Sequence, residues 1–361
     1  MGFSAFSIVS LIAFSNPLNS LFGWITRFFY EFFGNYGLAI IALTVLIRAA
    51  LIPLNISSQK SMIKTQALSQ KQAEIQRKYP NDKQKQQEEI TKMMQENGAM
   101  NMGGCLLPLL QLVFIYPIFR IVSGPLRYLS SVSVENLNKM AQLAVDKGYM
   151  AESAMKNIEN YDISLLEIFG NNSQFLRECI AKGYLKMSQV LNLDFLGLDL
   201  TKKPQWMPNK IMDDPKTFLP LLAIPALVII TTLIQMKLSN VLRPDYKEQK
   251  LAKQRAKKNA AMAGQAPTDQ AEMTAKIMGW MMPILMIMFT FGSPAAMGLY
   301  WIIGNIMMII TNIITYYLFT KPFALKKKEL EEQKQAFLKG KRSDDKAIED
   351  KSSKSNKKKK N

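Results

Sequence analysis

Arg48 is the residue whose type and setting most strongly suggest a chemical role. It lies in an apolar run, residues 38–55, that contains no other charged side chain. Arginine stays protonated at every physiological pH, and placing it at the centre of a bilayer costs about 2.5 kcal/mol on some scales and over ~10 on others. A charge at this position needs water or polar partners. We therefore expect Arg48 to face a hydrated cavity, where it attracts acidic or polar groups.

Uncharged polar side chains at helical spacing could line the other walls of such a cavity. Thr44 and Asn55 lie four residues before and seven residues after Arg48, so these three side chains share one face of a helix. Other apolar runs supply further polar side chains, namely Gln111, Thr231, Gln235, Trp301, Asn305, Asn312 and Thr315. Asn, Gln and Thr also form ordinary hydrogen bonds between packed transmembrane helices, and the spacing leaves this alternative open.

The composition does not favour an enzyme. The chain contains no histidine, which is the commonest general base and the commonest metal ligand in proteins. Its two cysteines, Cys105 and Cys179, are too few for a disulfide framework and are predicted on opposite sides of the membrane, so we expect no pairing. We expect neither a metal nor another cofactor.

Five apolar runs are suited to crossing a membrane, because a helix needs roughly 20 residues to span a hydrocarbon core about 30 Å thick. The predicted transmembrane helices cover residues 38–55, 103–123, 218–238, 277–291 and 295–319. The last two form a tight hairpin within residues 277–319. In the N-terminal segment, residues 1–37, the apolar stretch 3–14 is too short to span and lacks the features of a cleavable signal peptide. Residues 18–33 predict an amphipathic helix in the outer interface, with an extension of the first span as the alternative.

The distribution of charge between these runs predicts the orientation of the chain. Residues 59–98 carry a net charge of +3 from 8 Lys/Arg and 5 Asp/Glu, and residues 237–276 carry +5 from 9 and 4. The tail from Lys321 carries +8 from 15 and 7, whereas residues 124–217 are neutral with 11 of each sign. Cytoplasmic loops are enriched in Lys and Arg. The pattern therefore predicts a multi-pass protein of the bacterial cytoplasmic membrane, with the N-terminus outside and the C-terminus in the cytoplasm.

The segments that connect the spans differ in character. Residues 56–102 predict two polar cytoplasmic helices, over 57–79 and 81–97, with a break at Pro80. Residues 239–276 predict a cytoplasmic loop, and residues 320–361 a Lys-rich cytoplasmic tail that is too polar to fold alone. The extracellular segment 124–217 has helical patterns that predict a small helical insert, with the apolar faces Leu137, Met140, Ala141, Ala144 and Leu176, Ile180, Tyr184, Met187.

Four motifs occur in an order that matches a known family. They are GLAIIALTVLIRAALIPL around Arg48, GGCLLPLLQ from Gly103 to Gln111, FLGLDL from Phe195 to Leu200, and SPAAMGLYWIIGN from Ser293 to Asn305. With these motifs and the spans between them, the chain resembles the YidC/Oxa/Alb family of membrane protein insertases, specifically its short members from Gram-positive-type bacteria. The external segment is longer than is usual for those members, and no lipobox cysteine follows an N-terminal signal.

The resemblance implies an all-α polytopic membrane protein with five transmembrane helices around a hydrophilic groove, a cytoplasmic helical hairpin and a small extracellular helical insert. Arg48 matches the position of the family's groove arginine. The implied groove residues are Arg48, Thr44, Gln111, Gln235, Trp301, Asn305 and Asn312. The implied function is to insert and fold other membrane proteins. Short hydrophilic segments would move partway into the bilayer, and apolar helices would then pass sideways into lipid.

The resemblance also suggests partners. These are nascent membrane proteins, membrane lipids, the ribosome through the basic tail, the Sec translocon, and the signal recognition particle with its receptor. From the sequence alone, the tail suits ribosomal RNA, anionic lipid headgroups or no specific partner. Two other functions remain open, an ion or small-solute channel or transporter and a structural scaffold of the translocation machinery. The spans show neither an obvious inverted repeat nor an acidic coupling residue, which are frequent in transporters.

Overall fold

The computed structural model describes residues 5–80, 82–97, 103–156, 158–242, 269–326, 328–330, 332, 333 and 336, and these are mostly α-helical. The α-helices are α1 (Ala5–Phe33), α2 (Tyr36–Ala50), α3 (Ile52–Ala67), α4 (Ser69–Lys78), α5 (Lys83–Glu96), α6 (Gly103–Ser123), α7 (Pro125–Tyr128), α8 (Val134–Asp146), α9 (Ile158–Asn171), α10 (Ser173–Ala181), α11 (Pro208–Asp213), α12 (Pro215–Leu221), α13 (Ala223–Val241), α14 (Asp269–Gly292) and α15 (Ala295–Thr315). The shorter elements are 3-10 turns at Glu152–Lys156 and Met187–Gln189, a π-helical turn at Tyr316–Thr320, and the antiparallel strands β1 (Asp194–Phe195) and β2 (Leu198–Asp199). Most of the predicted loop 239–276 and of the predicted tail 320–361 lies outside the described residues.

The N-terminal helix α1 is separate from the first predicted span. The chain turns at Gly34, whose φ of 64° is accessible to glycine at little cost, and Asn35 then caps α2 by accepting a hydrogen bond from the Leu38 N–H at 3.1 Å. The alternative of a simple extension of the first span is therefore wrong. The inner face of α1 packs on α6, where the rings of Phe22 and Phe114 lie 5.9 Å apart. Its outer face exposes large apolar side chains, namely Leu21, Trp24, Phe28 and Phe32.

The first predicted span is bent rather than straight. Helix α2 ends at Ala50, α3 begins at Ile52, and their axes differ by 44°. Pro53, the second residue of α3, explains the bend because proline lacks an N–H and its ring clashes with the carbonyl four residues earlier. The bent pair Tyr36–Ala50 and Ile52–Lys60 is therefore apolar enough for one span only if both parts are counted together.

The bent pair runs parallel to α15. In the last turn of α2, the guanidinium of Arg48 lies against Gly304, and a Cβ placed on that glycine would be 2.7 Å from Nη2 of the arginine. Further along the bent pair, on α3, the side-chain amide of Gln59 donates a hydrogen bond to Asn312 of α15 at 2.7 Å. The residue numbers increase together on the two elements, so both helices point in the same direction.

Helix α13 is also parallel to α15. Near the start of both helices, Ile224 occupies the space beside Gly298, and a Cβ added there would lie 2.3 Å from its methyl group. About two turns later on both helices, Asn305 donates a hydrogen bond to the hydroxyl of Thr232 at 2.9 Å. Helices α2, α13 and α15 therefore all point the same way.

The length and composition of these helices suit a membrane protein. The segment Pro215–Val241 and the helix that begins at Ala295 are long and apolar enough to cross a bilayer, and the bent pair is a third candidate. In the other two predicted spans, the parts whose side chains the structure describes include two shorter apolar helices, Val113–Ser123 and Pro283–Gly292. Buried side chains from α1, α2, α6, α13 and α15 form one core, whose fully buried members include Tyr36, Ile40, Leu43, Ile118, Ile121 and Tyr300.

Helices α7–α10 form a folded insert with a second core. The predicted inner face of α8 is confirmed, because Leu137, Met140, Ala141 and Ala144 are all fully buried. Of the second predicted face, Leu176, Ile180 and Tyr184 are partly buried and pack against this core, beside the buried Phe175 and Cys179. Met187 is 72% exposed and was assigned wrongly. Cys179 is a free thiol, and the side chain of Cys105 lies outside the described residues.

A buried carboxylate on α9 stabilises α7, at the junction where the insert follows α6. Asp162 on α9 accepts hydrogen bonds from the backbone N–H groups of Leu126 at 3.0 Å and Arg127 at 3.1 Å, which begin the short helix α7. Burial raises the pKa of the Asp162 carboxyl to about 7, an effect that outweighs the lowering by these two donors. The Asp162 carboxyl therefore stays protonated to a higher pH in the folded chain than in an unfolded chain.

This shift predicts that the junction between α6 and the insert loosens as the pH rises. The contribution of Asp162 is fully present below the unfolded-chain pKa of about 4 and is lost as the pH passes through the folded-state pKa. In hydrogen exchange corrected for its intrinsic pH dependence, residues 125–132 should be better protected at about pH 5 than at about pH 8 in the wild type. Asp162→Asn should abolish the difference. The same dependence in Asp162→Asn, or its loss in the exposed control Glu167→Gln, would contradict the assignment.

Candidate functional site

Arg48 lies buried between α2 and α15. Only 9% of the residue is exposed, and the guanidinium carbon is 5.7 Å from the ring centre of Tyr300. The Arg48 side chain also contacts α15 at Gly304, which lies one helical turn after Tyr300. Among the described residues, no carboxylate forms an ion pair with Arg48, and its Nε is buried without a hydrogen-bond partner.

Tyr300 and Gly304 form a notch that holds the guanidinium. A Cβ on Gly304 would lie 2.7 Å from Nη2 of Arg48 and 3.2 Å from Cζ and Nε, so any larger residue would have to displace the charged group. The aromatic ring contributes a cation–π attraction, which is worth about 0.5 to 2 kcal/mol depending on desolvation. Neither residue has a side chain that marks it in the sequence as a partner of Arg48. Their spacing of four within the LYWIIGN motif puts them on one helix face, but it does not show what that face contacts.

The other residues predicted beside Arg48 on the first span are buried. Thr44 is fully buried and donates its hydroxyl hydrogen to the Ile40 carbonyl at 2.6 Å, so the hydroxyl oxygen can still accept a bond. Asn55 lies beyond the bend on α3, where its amide donates to the Leu51 carbonyl at 3.0 Å while its Oδ1 is buried without a partner among the described residues.

Asn305 bonds across the helix interface. Its amide nitrogen donates to the hydroxyl groups of Thr231 at 3.1 Å and Thr232 at 2.9 Å, both on α13. This contact is the interhelical bonding that the sequence left open for Asn and Thr. Transmembrane bonds of this kind stabilise a protein by about 0.6 kcal/mol on average. Asn305 therefore fixes α15 against α13, on a different helix pair from the one that holds Arg48.

The interface between α3 and the C-terminal half of α15 is also polar. Asn312 is buried and accepts a hydrogen bond from Gln59, a residue that the sequence analysis did not identify.

Trp301 is buried as well, and its indole N–H has no partner among the described residues. Gln235 lies partly buried on α13, and the side chain of Gln111 on α6 lies outside the described residues.

Four polar side-chain atoms on α2, α3 and α15 are buried without a hydrogen-bond partner in the described protein. Within the described chain they are Arg48 Nε, Asn55 Oδ1, Trp301 Nε1 and Asn312 Nδ2. Buried polar groups in folded proteins are almost always bonded to protein atoms or to ordered water, and leaving one unbonded costs about 1–3 kcal/mol. This set of donors and one acceptor is suited to binding water or the polar groups of another molecule.

The FLGLDL segment and the residues that follow it contact the starts of both α2 and α15. The backbone carbonyls of Leu200 and Lys202 accept hydrogen bonds from the first N–H groups of α15, those of Ala296 and Ala295, each at 2.9 Å. These N–H groups lack partners inside their own helix, so the bonds stabilise the start of α15. The ring of Phe195 fills the space beside Gly37 at the start of α2, where a Cβ would come within 2.4 Å of it.

Comparison with known proteins identifies the family of this chain. The chain matches the 60Kd inner membrane protein family over residues 28–322. A relative from Bacillus anthracis, named membrane protein insertase YidC 2, is 26% identical over 294 residues, which is 80% of this chain and 74% of the relative.

Two further relatives carry the name membrane protein insertase YidC. The one from Wolinella succinogenes is 39% identical over 109 residues, which is 30% of this chain and 20% of the relative. The one from Prochlorococcus marinus is 41% identical over 104 residues, which is 28% of this chain and 27% of the relative. In both cases the chain spans less than a third of the relative's length. The resemblance to the YidC/Oxa/Alb family is confirmed, and the chain belongs to the 60Kd inner membrane protein family.

Proposed function

We propose that this chain is a membrane protein insertase that draws short hydrophilic segments of its substrates into a groove beside Arg48. The observation that carries the proposal is the buried guanidinium of Arg48, which has no carboxylate partner among the described residues. A structural arginine is normally paired when it is buried. An arginine that must bind acidic or polar groups arriving from outside has to be left available.

Five transmembrane helices with an external N-terminus form part of the proposal. The parallel directions of α2, α13 and α15 support it, because a chain that crosses a membrane repeatedly in one direction must return between the crossings. Helices α6 and α14 lie at the required places in the chain. The excess of Lys and Arg in residues 59–98 and 237–276 and in the tail supports a cytoplasmic location for the ends of these three helices.

The groove then lowers the cost of moving a polar segment partway across the bilayer. Arg48 attracts carboxylates, and the unpartnered atoms of Asn55, Trp301 and Asn312 can bond to polar groups that would otherwise lose water. The FLGLDL segment closes the far end, so the polar segment waits in the groove while its adjoining apolar helix passes into lipid. We propose that residues 56–102, which contain α4 and α5, and the basic tail 320–361 receive substrates on the cytoplasmic side. Nascent membrane proteins, the ribosome, the Sec translocon and the signal recognition particle with its receptor are the proposed partners.

The direct test is insertion by the purified protein reconstituted in liposomes. A short single-span substrate with an acidic N-terminal tail is added, and transfer of the tail is scored by protection from external protease. We expect protected substrate in vesicles that contain the protein and little in empty vesicles. Absence of protection in both would reject an insertase that acts alone. Substrate-independent ion flux through the same vesicles would instead support a channel.

A further inference from the structure

The segment of residues 202–216 leads into the span Pro215–Val241 and exposes unusually large apolar side chains. Trp206 is 65% exposed and Met212, on α11, is 79% exposed. Isolated exposed apolar residues are common, but Trp206 and Met212 lie six residues apart in one segment, and the described chain covers neither of them. Both side chains are of types that adapt well to the boundary between water and lipid.

The same segment is basic. It carries a net charge of +2 from four lysines and two aspartates, namely Lys202, Lys203, Lys210, Lys216, Asp213 and Asp214. Lys203 and Lys210 are exposed on either side of Trp206, whereas the carboxylate of Asp214 accepts a hydrogen bond from the Thr217 N–H at the start of α12. Asp213 is exposed as well, but neither Lys203 nor Lys210 forms an ion pair among the described residues, so both can contact an anionic surface.

The position of the segment relative to the helices identifies that surface. The Lys202 carbonyl bonds to the first residue of α15, so the segment begins level with the start of that helix. It ends where the span Pro215–Val241 begins. This span has 27 residues. At 1.5 Å per residue it is about 40 Å long, which exceeds a hydrocarbon core of about 30 Å, so turns at its ends extend to the lipid headgroups.

From this placement we infer that residues 202–216 bind the surface of the lipid leaflet in which α2, α13 and α15 begin. Trp206 and Met212 enter the boundary between headgroups and acyl chains, and Lys203 and Lys210 contact lipid phosphates. Lipid is the occupant because the segment continues directly into a membrane-spanning helix and has the charge opposite to that of anionic headgroups. The inference does not depend on the proposed insertase function.

Fluorescence of the full-length protein in vesicles tests the apolar part. The contribution of Trp206 is obtained by subtracting the emission of Trp206→Phe from that of the wild type. We expect bromine near the headgroup end of the acyl chains to quench this difference emission about twofold more than bromine near the chain ends, and aqueous iodide to quench it weakly. Strong quenching by iodide with none by brominated lipid would overturn the inference. Quenching by brominated lipid that is lost when a substrate protein is added would identify the substrate as the occupant and would also overturn it.

Removal of charge tests the electrostatic part. In the wild type, the lipid quenching of the Trp206 emission should be greater in vesicles that contain anionic phosphatidylglycerol than in neutral phosphatidylcholine vesicles. The double substitution Lys203→Gln with Lys210→Gln should reduce quenching in anionic vesicles to the neutral level. Lys156→Gln removes an exposed charge from the insert and should change nothing. Equal quenching in both lipids for the wild type, or an equal effect of the control, would reject the phosphate contacts.

Discussion

Insertion of a substrate with an acidic tail should fall by about tenfold to a hundredfold when Arg48 is replaced by alanine. Two opposite charges 4 Å apart attract by about 4 kcal/mol in an environment with an effective dielectric constant near 20, and water in the groove reduces this value. A loss of about 1.4 to 2.8 kcal/mol corresponds to the stated range, since each tenfold change is about 1.4 kcal/mol. The measurement is the initial rate of protease protection in liposomes.

Arg48→Lys separates charge from geometry. Lysine keeps the positive charge, but it lacks the planar guanidinium that lies over the Tyr300 ring and can donate several hydrogen bonds in a fixed geometry. We expect an intermediate rate for this variant. A substrate whose tail has its acidic residues replaced by glutamine serves as the control, and Arg48→Ala should affect it much less. An equal loss for both tails would mean that Arg48 acts by shape rather than by charge, and unchanged insertion of both would remove it from the mechanism.

Gly304→Leu should impair insertion of the same acidic substrate nearly as much as Arg48→Ala. The new side chain would occupy the space of the guanidinium, whose Nη2 lies 2.7 Å from the position of a Cβ. Overpacking of this kind also destabilises a protein, typically by about 1–3 kcal/mol. Gly304→Ala should have a smaller effect in the same direction, because Arg48 needs to move less. Insertion rate and thermal unfolding of the detergent-solubilised protein are measured together.

Two comparisons make this prediction specific. Gly292 has open space around its Cβ position, so Gly292→Leu should leave both quantities nearly unchanged. Combining Gly304→Leu with Arg48→Ala removes the clash, and the double variant should be more stable than the sum of the single effects predicts. Simple additivity in stability would show that Gly304 and Arg48 do not share this space. A Gly304→Leu protein that inserts normally would contradict the positioning role of the notch.

Much of the membrane architecture follows from the sequence for local reasons. The length of an apolar run is set by the thickness of the bilayer, and the charge of each connecting segment biases the side on which it lies. Arg48 is conspicuous because a single charge in an apolar run is costly wherever it faces. The inner face of α8 was predicted correctly, because an amphipathic helix on a folded insert repeats its apolar residues at a fixed interval.

Pairwise contacts between distant helices were decided by the tertiary structure. The sequence offered Asn305 as a groove residue, but only the packing of α15 on α13 directs its amide to Thr231 and Thr232. Gln59 became a partner of Asn312 only because α3 bends and then runs beside α15. The rotation and register of one helix against another depend on the fit of many side chains at once, and the period of a single helix does not contain that information.

Gly304 shows the same limit in its strongest form. A glycine in an apolar helix has no side chain whose chemistry could indicate a role, and its importance lies in the space that it leaves for a residue far away in the chain. Arg48 could be recognised by its own charge, whereas the notch that receives it exists only when α2 and α15 are packed in parallel. The sequence therefore determined which charge must be accommodated in the membrane, and the tertiary structure decided where it is held.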